Sequence, residues 1–305
     1  MPFTVIRGHF HARGYSPDGD SLRFAPQDTA LLGRLSGPRA RVNARGHVQL
    51  RIEAIDTLET HYTPPAGGGV YAQPAQWAEA AAERLLGFAG ITGVVWDAAH
   101  RTVVEAADGT PGFILSRAVE KNGRPVAFVF AGDPPEADGA EVFLDAARLE
   151  ESYNHLALRE GLAYPTYYTG LFRELRDSLT AATGAARAAG LGLWPTDGTE
   201  AGFDATSLAV ITDRVPILPK LFRRLVEYMV SFDTAVGFRE KMEESAEPVL
   251  DLTEQNFTHF DSFIEQAAGS TRIRLTRPPE ALVFDEMVAR PADQFSRLLD
   301  PSAAP

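Results

Sequence analysis

The chain has no cysteine. That excludes disulfide staples, zinc–thiolate sites and thiol catalysis, so the core must hold by burial alone. Lysine is scarce: three residues, with arginine supplying the rest of the 29 basic side chains, a bias that reflects base composition more than function. No stretch of about 18 apolar residues occurs, so no membrane span is expected. The first residues carry neither a basic leader nor an apolar segment behind it, so no signal peptide is expected. The corresponding expectation is a cytoplasmic protein, with a mature secreted form as the alternative. An excess of positive charge is lacking too. The net charge of −12 argues against a general nucleic-acid coating protein. The deficit is uneven: residues 1–195 hold 18 Lys+Arg against 22 Asp+Glu, and residues 196–305 hold 11 against 19. The acidic excess therefore lies mainly in the C-terminal third.

At 305 residues, with 45% hydrophobic and 23% charged side chains, the chain is an ordinary globular sequence of one large or two smaller domains. Strands are expected at 4–12, 21–24 and 47–55, and later at 92–105, 113–119 and 126–130, from their alternating or continuous apolar character. Residues 26–45 form a long insertion between the second and third strands. Three helices are expected at 76–88, 150–162 and 171–189, the last capped by Gly190. Trp194-Pro195-Thr196-Asp197-Gly198 reads as a domain boundary. Beyond it, 218–232 reads as a strongly apolar helix carrying Arg223 and Arg224. Residues 253–268 read as a second helix striped by Phe257, Phe260 and Phe263, and 272–275 should pair with 281–284 around Pro278-Pro279.

The stretch richest in chemistry is Arg51-Ile52-Glu53-Ala54-Ile55-Asp56-Thr57-Leu58-Glu59. On a strand, Arg51, Glu53 and Ile55 share one face. Asp56 and Glu59 then fall at the strand's end, where a bend can aim both at one point. An arginine beside hard oxygen ligands suits a phosphate and a cation. Upstream stands Asp18-Gly19-Asp20-Ser21, and downstream Asn122-Gly123-Arg124, Gly161-Leu162-Ala163 followed by Tyr164, Tyr167 and Tyr168, and Leu191-Gly192-Leu193-Trp194.

In this order the motifs resemble those of the staphylococcal-nuclease (thermonuclease) family: D-G-D-T, R-x-x-x-x-D-T-P-E, Y-G-R, G-L-A with aromatics, and a closing L-x-x-W. The resemblance covers roughly residues 1–195. It implies a mixed α+β fold: a five-stranded OB-fold β-barrel with three helices over residues 1–196. A smaller, mostly helical or α+β domain of unrecognised family would follow over 197–305, in a structural or partner-binding role, including self-association. It also implies a metal-dependent nuclease that cleaves DNA and RNA with little sequence preference and leaves 3′-phosphates. By the same resemblance, Asp20, Asp56 and the backbone carbonyl of Thr57 would hold calcium, with magnesium or manganese as alternatives. Glu59 would act as general base, Arg51 and Arg124 would grip the scissile phosphate, and Tyr167, with Tyr164, would stack near the nucleotide. The sequence departs from the family pattern at Leu58, Asn122 and Ser21, and it has few basic residues around the site. The competing reading is a non-catalytic nucleic-acid or protein binding module on a nuclease-like fold.

Three other patterns carry less. Gly19-Asp20-Ser21-Leu22 spells an esterase nucleophile motif, but a polar turn precedes it and the sole D-x-x-H, at 97–100, comes too early. His9 and His11 share a strand face without an evident third zinc ligand, and His61 reads as a surface histidine close to the carboxylates.

Overall fold

A computed structural model describes residues 2–285. The final part of the C-terminal unit, 286–305, lies outside the described residues. The fold is mixed α/β with a nearly closed, barrel-like sheet. Ten strands precede the third helix: β1 Phe3–His11, β2 Arg23–Pro26, β3 Val48–Gln49, β4 Arg51–Ile52, β5 Ile55–Asp56, β6 Thr92–Trp96, β7 Val103–Ala107, β8 Thr110–Val119, β9 Pro125–Ala131 and β10 Glu141–Val142. The main sheet runs β3-β2-β1-β8-β9-β4, with β10 added against β1. Its two ends are consecutive in the chain, separated by Leu50 alone. Leu50 N–H donates to Leu22 O and Ile52 N–H to Asp20 O, while β4 pairs in parallel with β9 through Arg51↔Val126 and Ile52↔Ala127. One short segment thus bridges both edges, which removes most of the unpaired backbone an open sheet would expose.

The continuous strand expected over 47–55 is instead three short pieces. Ala54 adopts φ 67, a left-handed conformation that a residue with a Cβ takes only at a cost. Neighbouring contacts hold it there: Thr166 N–H donates to Ala54 O, and the buried Asn154 amide donates to Glu53 O. The kink diverts β5 from the barrel to pair with β11 (Tyr164–Pro165). The run expected over 92–105 is likewise the β6–β7 hairpin.

The helices are α1 Ala75–Phe88, α2 Ala146–Leu149, α3 Tyr153–Arg159 and α4 Arg173–Ala188. The helix expected at 150–162 is split because Ser152 caps a fresh start, its hydroxyl accepting from His155 N–H. After α4, Gly190 at φ 65 turns the chain and Leu191 N–H closes onto Ala186 O, as the capping glycine implied.

Past β12 (Tyr167–Tyr168) the chain forms β13 Phe203–Asp204, α5 Leu208–Asp213, α6 Pro219–Phe232, α7 Phe238–Ser245, and strands β14 Pro248–Asp251, β15 Asn256–His259, β16 Ile264–Glu265, β17 Arg272–Leu275 and β18 Leu282–Phe284. The helix expected over 253–268 is absent. Gln255, at φ 55, closes a hairpin between β14 and β15, and the phenylalanines part company: Phe260 and Phe263 are buried while Phe257 is 76% exposed. Nor do 272–275 and 281–284 pair with each other. β17 lies between β13 and β16, and β18 lies between β14 and β12.

β12 belongs to the N-terminal sequence and β18 to the C-terminal, so this second sheet straddles the expected boundary. The boundary itself is a 3-10 turn, Trp194–Thr196. The second core gathers Phe222, Leu225 and Phe260 around Leu58, Ala78, Tyr164 and Ala186 from the first 196 residues. Each large apolar side chain so buried contributes ~1.5–3 kcal/mol. A fragment of residues 1–196 should therefore melt ~10 °C or more below the full chain, or fail to fold, by calorimetry. An unchanged midpoint would show that the two cores are independent.

Candidate functional site

The Asp18–Ser21 turn is seated by close packing. A Cβ on Gly19 would lie 2.6 Å from Ala81 Cβ and 2.8 Å from the Thr57 side chain, so only glycine lets the turn approach both α1 and the carboxylate segment. Tyr153, fully buried, donates its hydroxyl toward Gly19 O at 2.9 Å, and Ala81 O lies 3.1 Å from the same oxygen. Asp20 Oδ2 then accepts from Thr57 N–H at 3.2 Å. The two carboxylate-bearing segments, far apart in sequence, thus meet directly. Burial pushes the Asp20 carboxyl well above its ordinary range, and repulsion from Asp18, Asp56 and Glu59 adds to the rise.

Asp56 and Glu59 leave the Ala54 kink and converge on a residue from the C-terminal unit. Arg223, in the middle of α6, forks onto Asp56 through Nη2–Oδ2 at 2.9 Å and Nη1–Oδ1 at 3.2 Å, and its Nη1 also donates to Glu59 Oε1. The side chains of Arg223, Asp56 and Glu59 keep 26%, 8% and 16% of their exposure. Buried Gln73 braces the same point. Its Oε1 accepts from Glu59 N–H at 3.2 Å and its Nε2 donates to Ile217 O at 2.8 Å, tying the carboxylate loop to the approach to α6. Burial raises Glu59 from 4.5 to about 7, against the pull of Arg223 and with a further push from Asp56 and Asp18.

Arg51 stands beside this cluster. Its guanidinium carbon lies 4.3 Å from the centre of the Tyr168 ring. Burial opposes its charge, but Tyr168, Glu53 and Asp56 outweigh that and hold it above the usual arginine value. Lys220, one turn before Arg223 on α6, lies 5.6 Å from the same ring and pairs with Glu247 at 2.7 Å.

The remaining candidates are placed elsewhere. Arg124 sits two residues before Val126, the partner of Arg51 on β9, but its Nε donates to Glu120 at 3.2 Å. Tyr164 and Tyr167 have no exposed surface. The Tyr164 hydroxyl donates to Asp197 Oδ1 at 2.6 Å, and the Tyr167 hydroxyl lies 2.9 Å from Thr180 Oγ1. Neither ring offers a face to a nucleotide in this conformation. Tyr168, partly exposed, is the aromatic that reaches the site. Ser21 is buried, with its hydroxyl 3.2 Å from Gln49 Nε2, and His11 stacks on His47 rather than joining His9 around a metal.

The arrangement can bind an anion through Arg51. It does not fit a cation in this conformation, because the oxygens of Asp56 and Glu59 already accept from Arg223. Among the described residues no group of three or more His, Asp or Glu is arranged to hold a metal. Arg223 carried a signal in sequence: an arginine flanked by Leu221, Phe222, Leu225 and Val226, all buried, needs a buried acid. Tyr153 and Gln73 carried none, because their roles depend on backbone groups that only the folded chain brings near. A scan of protein-family models returned no match to this chain, and a search of curated proteins returned none.

Removing one member of a buried ion pair strands the other. Arg223→Met should cost ~3–5 kcal/mol in urea unfolding, and adding Asp56→Asn with Glu59→Gln should restore most of that. Additive losses would mean that the three groups are not energetically coupled. The raised Glu59 carboxyl gives a second test. The folded state holds that proton more tightly than the unfolded chain, so its contribution is complete below about 4.5 and is lost as pH rises through about 7. Glu59→Gln should flatten the stability profile across that window, and an unchanged slope would contradict the assignment.

Proposed function

We propose that this chain is a phosphodiester hydrolase of the staphylococcal-nuclease type, in a form that Arg223 holds closed. The observation that carries the reading is the meeting of Asp20 with Thr57, which sets the D-G-D turn against the Asp56–Glu59 segment with Arg51 alongside. The strand path lends support. Taking β3 and β4 as one interrupted strand and leaving β10 aside, the nearly closed sheet runs β1, β2, β3/β4, β9, β8 with the β4–β9 contact parallel, an order compatible with an OB-fold.

In this reading Glu59, once Arg223 has released it, takes the proton of an attacking water whose oxygen bonds to phosphorus. The bond from phosphorus to the 5′ oxygen breaks, that oxygen takes a proton from solvent water, and the phosphate stays on the 3′ side. Arg51 holds the non-bridging oxygens, where a forked, permanently charged donor stabilises the growing negative charge. Arg124 joins it on release from Glu120. Tyr168 takes the place beside the phosphate that Tyr164 and Tyr167, being buried, do not. Calcium, or magnesium or manganese in its stead, enters the proposal as a competitor for the carboxylates that Arg223 holds.

The same ion pair favours a second reading. If Arg223 never leaves, the carboxylates are a structural clasp and the barrel is a non-catalytic binding module. Cleavage of labelled single-stranded DNA, duplex DNA and RNA separates the two, with each metal or with EDTA. Slow, metal-dependent cutting by the native protein is expected. It should be faster in folded Arg223→Met and lower by ~10²-fold or more in Glu59→Gln and Arg51→Ala. No cutting by the native protein or by Arg223→Met under any metal selects the binding module.

A further inference from the structure

We propose that a cleft on the face of β1, β2 and β3 binds the sugar–phosphate backbone of single-stranded nucleic acid and leads it toward the carboxylate cluster. The identity of the ligand rests on the phosphodiester reading above; the site itself rests on different residues. Two adjoining cavities, of about 520 and 280 Å³, meet at Gly14. The larger is lined by His11, Arg13, Arg45, His47 and Asp108, and the smaller by Tyr15, Ser21, Arg23, Gln49 and His61. In a chain of net charge −12, these walls hold three arginines and three histidines against one carboxylate.

That carboxylate is already engaged. Asp108 Oδ2 accepts from Ala12 N–H and Arg13 N–H, each at 2.9 Å, and lies 3.6 Å from His11 Nδ1. The arginines are not matched by acids. Among the described residues neither Arg13, Arg23 nor Arg45 makes an ion pair; the Arg45 guanidinium donates only to the backbone oxygen of Arg13, at 3.3 Å. Arg23 is half-buried as well, and the loss of solvent lowers its pKa, so it carries a charge without a counter-ion. Such a group costs free energy unless a ligand completes it.

The donors are also pre-arranged. The guanidinium carbons of Arg23 and Arg45 lie 4.9 and 5.2 Å from the centre of the Tyr15 ring. Tyr15 is fixed in turn by Asn43 Nδ2, 2.9 Å from its hydroxyl, and by His47 Nδ1 at 3.1 Å, while His47 stacks on His11 at 4.1 Å. Two forked cations held over one anchored ring lose little freedom on meeting phosphates. The cleft's smaller lobe ends at Ser21, which follows Asp20, and at His61, two residues past Glu59. A strand crossing both lobes therefore runs toward the segments that carry Asp20 and Glu59. Unpaired cations ranged about an aromatic ring suit one flexible strand better than a rigid duplex.

The test is fluorescence anisotropy with a labelled oligothymidylate in EDTA, so that binding is read without cleavage. The variants are Arg13→Glu with Arg45→Glu, both on exposed loops, and Arg23→Gln. A charge-matched control carries Arg173→Glu and Arg239→Glu on α4 and α7. The double cleft variant should bind about tenfold or more weakly, with its salt dependence reduced by about 1.4 in log–log slope, at ~0.7 per lost phosphate contact. The control should bind as the native protein does. No binding by the native protein, or equal weakening in the control, overturns the cleft. Binding that depends on the cleft in a protein that never cuts leaves the cleft standing and removes the hydrolase; cutting that survives the double cleft variant with unaltered KM does the reverse.

Discussion

The Arg223 ion pair with Asp56 and Glu59 is the constraint on which the two halves of this molecule agree. A guanidinium inside an apolar helix must be met by acids, and two acids at the end of a kinked strand must be met by a cation. Each half supplies what the other lacks. The surrounding polar face of α6 follows the same logic, with Lys220 and Arg224 both on Glu247, and Tyr62 hydrogen-bonded to Glu227. α6 could not turn or withdraw without stranding several charges together, while its apolar side, Leu221, Phe222, Leu225 and Val226, sits in the second core.

The geometry of the cluster is set by small residues more than by charged ones. Gly19 lets the turn reach Thr57, Ala81 leaves room on α1, and Ala54 reverses the chain so that Asp56 exits the barrel. Tyr153 and Asn154, adjacent on α3, bond to the backbone of the turn and of the kinked segment respectively. One helix thereby sets the spacing between the two carboxylate segments, and a carboxylate pair needs such support because its members repel.

Much of this was legible in the sequence where it followed local pattern. The apolar alternation of the first strand, the helices at 75–88, 173–188 and 219–232, and the capping Gly190 all depend on neighbours within a few residues. The ordering of the motifs placed Asp20, Asp56 and Glu59 together through a resemblance, not through local pattern. What escaped was settled at long range. The periodic Phe257, Phe260 and Phe263 suit a helix as well as a hairpin leading into a 3-10 turn, and the left-handed Gln255 decides between them. Tyr164 and Tyr167 look like ligand aromatics in a motif, yet the second core needs Tyr164 and the first needs Tyr167. Arg124 suits a place beside Arg51 in sequence, yet Glu120, four residues away on the same hairpin, engages it.

The pairing of β12 with β18 carries a consequence for how the protein is made. Tyr167 lies against Val283, and Thr169 bonds to Asp285 across 116 positions of sequence. Synthesis runs from the N-terminus, so the barrel emerges long before α6 and longer still before β18. Through that interval Asp56 and Glu59 have no arginine, and Leu58 and Tyr164 no core. The emerging N-terminal segment is thus a different electrostatic object from the finished one, its carboxylates unpaired until α6 brings Arg223. The order in which the ribosome delivers the chain places closure of the site after the whole of the barrel sequence has been made.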